Sequence, residues 1–266
     1  MTGTVSEGTL WRQLAALFRM EMLLLRRNMT SAVLVILLPL IIGAARLGGS
    51  DVGADPSAGV DRMASAFGLI AVIFVHHHLV TVYATRRQEL VLKRLRAGLP
   101  SDWTIITGAA IGALVIFVVQ AVMLAAYGVS VLHLPAPQNP LSILLALLLA
   151  GALMATVSAV MSAVTRSAES AMLTTLPTMA LFLLTPGVLV PYGALPGTVE
   201  KAAWFTPLGP FGEVIGVGWL GVDGQSGLVS SVVGSLPGIA VMIGWLALTM
   251  LMVQRWFRWE PRTQRA

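Results

Sequence analysis

Apolar residues in this chain come in long, nearly unbroken runs rather than in the one-sided or alternating patterns of a soluble fold. A helix needs about 20 mostly apolar residues to cross the hydrocarbon core of a bilayer. Runs of that kind occupy 31–47, 63–84, 104–131, 141–164, 171–190 and 229–253. They predict an all-α integral membrane protein with six transmembrane helices. None of the runs alternates as a strand would, and a soluble core helix would be shorter and apolar on one side only. The first run is short and contains Pro39. The third is long enough to tilt, or to stop before the Leu134-Pro135-Ala136-Pro137 turn. Pro177 and Pro186 in the fifth predict kinks.

Three segments between or before these runs carry structure of their own. Over residues 9–27, Trp11, Leu14, Phe18, Met22 and Leu25 recur at helical spacing, while Arg12, Arg19 and Arg26 fall on a separate ridge. An apolar stripe beside a basic ridge predicts an amphipathic helix lying in the membrane interface. Residues 86–100 place Leu92, Leu95 and Leu99 at i, i+3 and i+7 among Arg86, Arg87, Glu89, Lys93, Arg94 and Arg96. That spacing predicts a short helix stopped by Gly98 and Pro100, with a seam that must be buried against something. Residues 191–227 are rich in Gly and Pro but also hold Trp204, Phe205, Phe211 and Trp219. This is too apolar for a disordered loop and predicts short helices on, or re-entrant into, one leaflet.

Composition agrees with the run pattern: 56% of residues are hydrophobic and 11% charged, against about 25% charged in a soluble domain. The placement of charge then orients the chain. Of the 17 Lys and Arg residues, all but Arg46, Arg62 and Lys201 fall before the first run, between runs two and three, between four and five, or after six. Basic segments stay in the cytoplasm, so both termini and residues 86–100 are expected there, with 191–227 outside. The net charge of +5 therefore serves a membrane surface and a cytoplasmic partner rather than nucleic acid. With no cysteine, disulfides and thiolate metal sites are excluded. The first apolar run starts only near Ser31, behind a stretch too long for a signal-peptide n-region, although Gly43-Ala44-Ala45 resembles a cleavage site.

The most conspicuous polar feature inside a run is His76-His77-His78. Ionisable residues at membrane depth are costly and often functional. Adjacent helical residues point about 100° apart, so three consecutive histidines cannot share one metal ion, and no metal site is expected. The alternatives are a proton relay, a substrate contact, or neutral imidazoles that hydrogen-bond across helices or face a wet dimer cavity; the last is favoured. Gln120 is a further candidate for the substrate pathway. Thr156, Ser158, Ser162, Thr174, Thr175 and Thr178 suit backbone satisfaction and helix contacts. Gly108-x-x-x-Gly112 and the ladder Gly151, Ala155, Ala159, Ala163 permit close helix approach. No run contains a carboxylate, and neither Gly-x-Ser-x-Gly nor His-Glu-x-x-His occurs, so no catalytic residues are assigned. The two lysines, Lys93 and Lys201, are not preceded by Gly and followed by Ser or Thr, which excludes a P-loop.

The parts in this order resemble the membrane subunit of an ABC transporter of the ABC-2 (type-2 permease) class. The resemblance rests on the amphipathic N-terminal helix, on Leu92-Lys93-Arg94-Leu95-Arg96-Ala97-Gly98-Leu99-Pro100, and on Pro191, Leu195-Pro196 and Trp204-Phe205-Thr206-Pro207-Leu208 before the last run. The family more often has Asn where Thr206 stands and a Thr-Tyr or similar pair where Gly209-Pro210 stands. The resemblance implies that residues 86–100 form a coupling helix docking on a separate cytoplasmic ATPase subunit, which holds the ATP and magnesium. It implies that the N-terminal helix adds to that interface. It also implies a dimer of six-span subunits, a homodimer before a heterodimer, with the pathway between them.

The expected function is thus the permease subunit of an ATP-driven exporter in a bacterial inner membrane. The apolar walls favour a lipophilic substrate, and the abundance of Ala, Gly and Arg suits a high-GC genome. Two rivals are a proton-coupled secondary transporter using the histidines, and a membrane enzyme or assembly factor. The first lacks a buried acid and a Gly/Pro-broken span in each half; the second lacks a site.

Overall fold

The computed structural model describes residues 29–48, 55–88, 102–165, 167–222 and 228–256, and those residues build a helical bundle. The amphipathic helix expected at 9–27, residues 89–100 of the expected coupling helix, and the chain beyond residue 256 lie outside the described residues.

Helix α1 is Met29–Arg46. Helix α2, Pro56–Ile70, passes through a π-helical turn, Ala71–His76, directly into α3, His77–Gln88. Then come α4, Asp102–Ser130, α5, Pro140–Val164, and α6, Ala168–Leu183. Two short helices, α7 at Gly197–Trp204 and α8 at Phe211–Leu220, precede α9 at Leu228–Trp256. Among the described residues, four stretches are long and apolar enough to cross a membrane: Pro56–Arg86, Ile106–Ser130, Pro140–Val164 and Val229–Arg255.

Local chemistry explains where these helices begin. Asp55 caps α2, its carboxylate accepting from the amides of Ser57 (2.9 Å) and Ala58 (3.4 Å), and Pro56 supplies the fixed φ of a first helical residue. The hydrogen bonds from the Ser57 hydroxyl and the two amides hold the Asp55 carboxyl below the usual carboxylate range. Asn139 and Pro140 repeat the device on α5, with Asn139 accepting from the Ser142 amide. Ser167 and Ser170 form a reciprocal capping box at the start of α6. Helix α2 thus begins seven residues before the apolar run that marks it, because the Asp-Pro start outranks hydropathy.

The α2–α3 unit is the axle of the bundle. In its most apolar stretch 83% of residues are buried, against 22% for the last helix. It is packed by α1, α4, α5, α6 and α8, while α9 lies against α5 and α8. The outer helices expose large apolar side chains, such as Ile41, Val122, Leu173 and Val229. In water this surface would drive aggregation; in lipid it costs nothing.

The fifth apolar run departs from expectation. The run extends to residue 190, but α6 stops at Leu183. Its 16 residues reach about 24 Å, short of the roughly 30 Å hydrocarbon core. Pro186 is not a kink inside the helix. It stands in a tight turn where Gly187 takes φ 83° and the Gly187 amide donates to the Val190 carbonyl at 2.9 Å. Proline cannot continue the α6 ladder, and the positive φ that reverses the chain favours glycine.

Residues 191–222 form a folded cap. Trp219 donates its indole N–H to the Pro135 carbonyl (2.7 Å), and Trp245 of α9 donates to the Phe205 carbonyl (2.7 Å). Phe211, Val214, Ile215 and Trp219 are buried. The link from α7 to α8 is tight: a Cβ on Gly209 would collide with the Ala203 and Trp204 carbonyls. Gly209→Ala is therefore expected to destabilise the detergent-solubilised protein by about 1–3 kcal/mol, read as a lower thermal-unfolding midpoint, whereas Gly216→Ala, facing open space, leaves the midpoint unchanged.

Candidate functional site

The three histidines lie where the π-helical turn hands over to α3. A π turn carries one extra residue and rotates the following helix, which sets the direction of each imidazole. His76 is fully buried. Its Nδ1 lies 3.0 Å from Ser158 Oγ on α5, and its Nε2 lies 2.9 Å from Thr178 Oγ1 on α6. One neutral tautomer satisfies both contacts. Nδ1–H donates to Ser158, whose own proton goes to the carbonyl of Met154 (2.5 Å) or His76 (3.0 Å), and Nε2 accepts from Thr178. His77 Nδ1 lies 3.1 Å from Thr175 Oγ1. His78 turns away and stacks on Phe74, with ring centroids 5.4 Å apart and 17° between planes. The three rings thus reach separate neighbours, and His76 and His77 bind the central helix to α5 and α6.

Gln120 answers a different need. Pro39 in the middle of α1 has no N–H to offer the Val35 carbonyl. Gln120 of α4, itself fully buried, donates through Nε2 to the neighbouring Ile36 carbonyl at 3.1 Å. A backbone acceptor beside a broken turn is thereby met from another helix, as lipid requires. His76 and Gln120 expose no surface in the single subunit, and each makes a contact to another helix.

At the end of the bundle where α2 begins, a second polar link ties α1, α2 and the turn after α6. Arg46 donates through Nε (3.2 Å) and Nη2 (3.1 Å) to Ser65 Oγ, which in turn donates to the Val188 carbonyl. The Val188 side chain is buried against Gly68. The hairpin that shortens α6 is therefore plugged into α2. Hydropathy reading gave Arg46 and Ser65 no role; the Pro186-Gly187 pair marks the turn, but nothing local says what it docks on.

The same end carries the proline-rich motif. Pro191 follows the hairpin, Pro196 precedes α7, Thr206 Oγ1 donates to the Ala203 carbonyl (2.7 Å), and Pro207 follows it. Tyr192 lies against Gly187 and Gly212, where any side chain would strike its hydroxyl. Partial removal from water, reinforced by the negative charges of Asp61, Glu213 and Glu200, holds the Tyr192 phenol above its usual range. At the opposite end, Arg86 is buried at 8% exposure. The Arg87 side chain and Glu89, Leu92, Lys93, Arg94, Leu95, Arg96 and Pro100 lie outside the description, as do Trp11, Arg12, Phe18, Arg19 and Arg26.

Removing Ser158 strands the His76 Nδ1–H. Ser158→Ala is expected to lower stability by about 1 kcal/mol, the scale of interhelical hydrogen bonds in membranes. Combining it with His76→Leu should cost less than the two single changes added together, which a thermal-unfolding cycle measures.

Neither a curated protein nor a solved structure gives a significant match to the chain. The family model described as "ABC-2 type transporter" matches residues 9–218, from the expected interface helix through most of α8. A buried central helix, a lipid-suited outer surface and that match over most of the sequence lead to one conclusion: the chain is a membrane permease belonging to the ABC-2 type transporter family.

Proposed function

We propose that this permease is the membrane subunit of an ATP-driven exporter, pairing with a second copy of itself and coupled through residues 86–100 to a separate ATPase. The observation that carries this reading is the family match over residues 9–218, joined to a sequence without a P-loop. Six spans with both termini cytoplasmic, in a bacterial inner membrane, accord with the distribution of Lys and Arg. A lipophilic substrate suits the apolar walls.

The helix connections supply a path for force. The proposed coupling segment joins α3 to α4. Closure of two ATPase subunits would press on that junction, and α3 would carry the displacement toward α2. Along the way His76 and His77 engage α5 and α6, and beyond them Ser65 holds the Val188 turn. One displaced helix would thus shift α5, α6 and the external cap together, opening a dimer cavity outward. A proton relay through the histidines draws less support, because one neutral tautomer of His76 already uses both ring nitrogens.

The test is efflux of a lipophilic dye from cells expressing the permease with its ATPase. Vanadate should stop efflux and a proton uncoupler at constant ATP should not. Leu95→Asp should reduce ATP-dependent efflux about tenfold or more, as loss of an interface anchor does, with membrane insertion unchanged. Efflux that survives vanadate but fails with the uncoupler would replace this reading with the secondary transporter.

A further inference from the structure

A cavity of about 690 Å³ lies between the start of α2, the hairpin and the cap. It falls within the range of small-molecule sites, roughly 300–1,000 Å³. Two kinds of residue stand out in its wall. Tyr192, Trp204 and Phe205 supply aromatic surface, with Trp204 and Phe205 meeting edge to face at 5.0 Å between centroids. Asp61, Glu200 and Glu213 supply three carboxylates, against the single ammonium of Lys201.

Two of these carboxylates are fixed by the fold. Glu213 Oε2 accepts from the Trp204 indole N–H at 2.5 Å, and Glu200 Oε1 accepts from the Gly193 amide at 2.8 Å. Each keeps a second oxygen for another donor or charge. The Trp204–Glu213 bond also ties an aromatic face to a negative charge across the junction between α7 and α8. Aromatic faces attract cations through their quadrupole, more strongly where water is excluded. Fixed carboxylates beside them add Coulomb attraction. An apolar molecule would satisfy the walls but not the acids, and an anion would meet three like charges. Arg46 and Arg62, which would oppose a cation, line an adjoining cavity instead.

We propose that this cavity binds amphipathic organic cations, held by the aromatic surface of Tyr192, Trp204 and Phe205 and by the carboxylates of Glu213, Glu200 and Asp61. The site goes beyond the transport reading and does not depend on it, since binding is measured on the permease alone, without ATPase or nucleotide.

The experiment uses the purified full-length chain in lipid nanodiscs, titrated with tetraphenylphosphonium and, separately, with tetraphenylborate, which has nearly the same shape and the opposite charge. Empty nanodiscs correct for partition into lipid. The expected result is saturable micromolar binding of tetraphenylphosphonium, with tetraphenylborate no tighter than partition. Glu213→Gln retains an oxygen for the Trp204 indole but removes the charge, and should weaken binding about tenfold. Adding Asp61→Asn should weaken it further, with the unfolding midpoint retained. Equal binding of both ions, or tetraphenylphosphonium binding unchanged in the double variant, would overturn the proposal. So would the absence of saturable binding to the unaltered protein, a result that leaves the vanadate test untouched.

Discussion

Burial of the α2–α3 unit sends its most deeply placed polar groups, Ser65, His76 and the half-buried His77, to partners on other elements. In water an unmatched imidazole or hydroxyl could be solvated; inside lipid it would cost several kcal/mol. The fold resolves this with cross-helix contacts at two levels. His76 and His77 meet Ser158, Thr178 and Thr175 near the π-helical turn, and Ser65 meets Arg46 and the Val188 carbonyl near the start of α2. Apolar packing alone discriminates poorly among helix rotations, because lipid tails are as apolar as leucine. Directional hydrogen bonds supply that discrimination.

The same constraint accounts for the two breaks in helical regularity that involve proline. At Pro39 the helix continues and Gln120 meets the neighbouring carbonyl from α4. At Pro186 the helix ends, and Gly187 turns the chain so that backbone groups pair within the hairpin and with Ser65. Non-helical backbone is tolerated in these places because protein covers it. The hairpin in turn positions Tyr192, whose ring needs the bare glycines at 187 and 212. One proline thus shortens a helix, plugs the bundle and shapes the wall of the cavity beside the cap.

These connections tie the α2–α3 unit to α1, α5, α6 and the hairpin. The last helix, α9, is the least buried of the long apolar helices; Thr249 meets Thr156 of α5 at 2.8 Å and Trp245 meets the Phe205 carbonyl.

By itself the sequence determined the class of the protein. Runs of apolar residues with few charges demand lipid, and the ABC-2 motifs announce the family, because composition and local spacing are one-dimensional properties. The helix starts at Asp55-Pro56, Asn139-Pro140 and Ser167 rest on caps that act over three residues, which hydropathy runs do not register. The tertiary structure alone decided what each polar residue does. Whether His76 faces a cavity or Ser158 depends on a π turn in Ala71–His76, a segment with no glycine or proline to betray it. What the turn at Pro186-Gly187 docks on is decided by Ser65 and Gly68, more than a hundred residues away. The gathering of Asp61, Glu200, Glu213 and Tyr192 around one cavity is likewise a product of docking between distant elements, and no local signal can encode it.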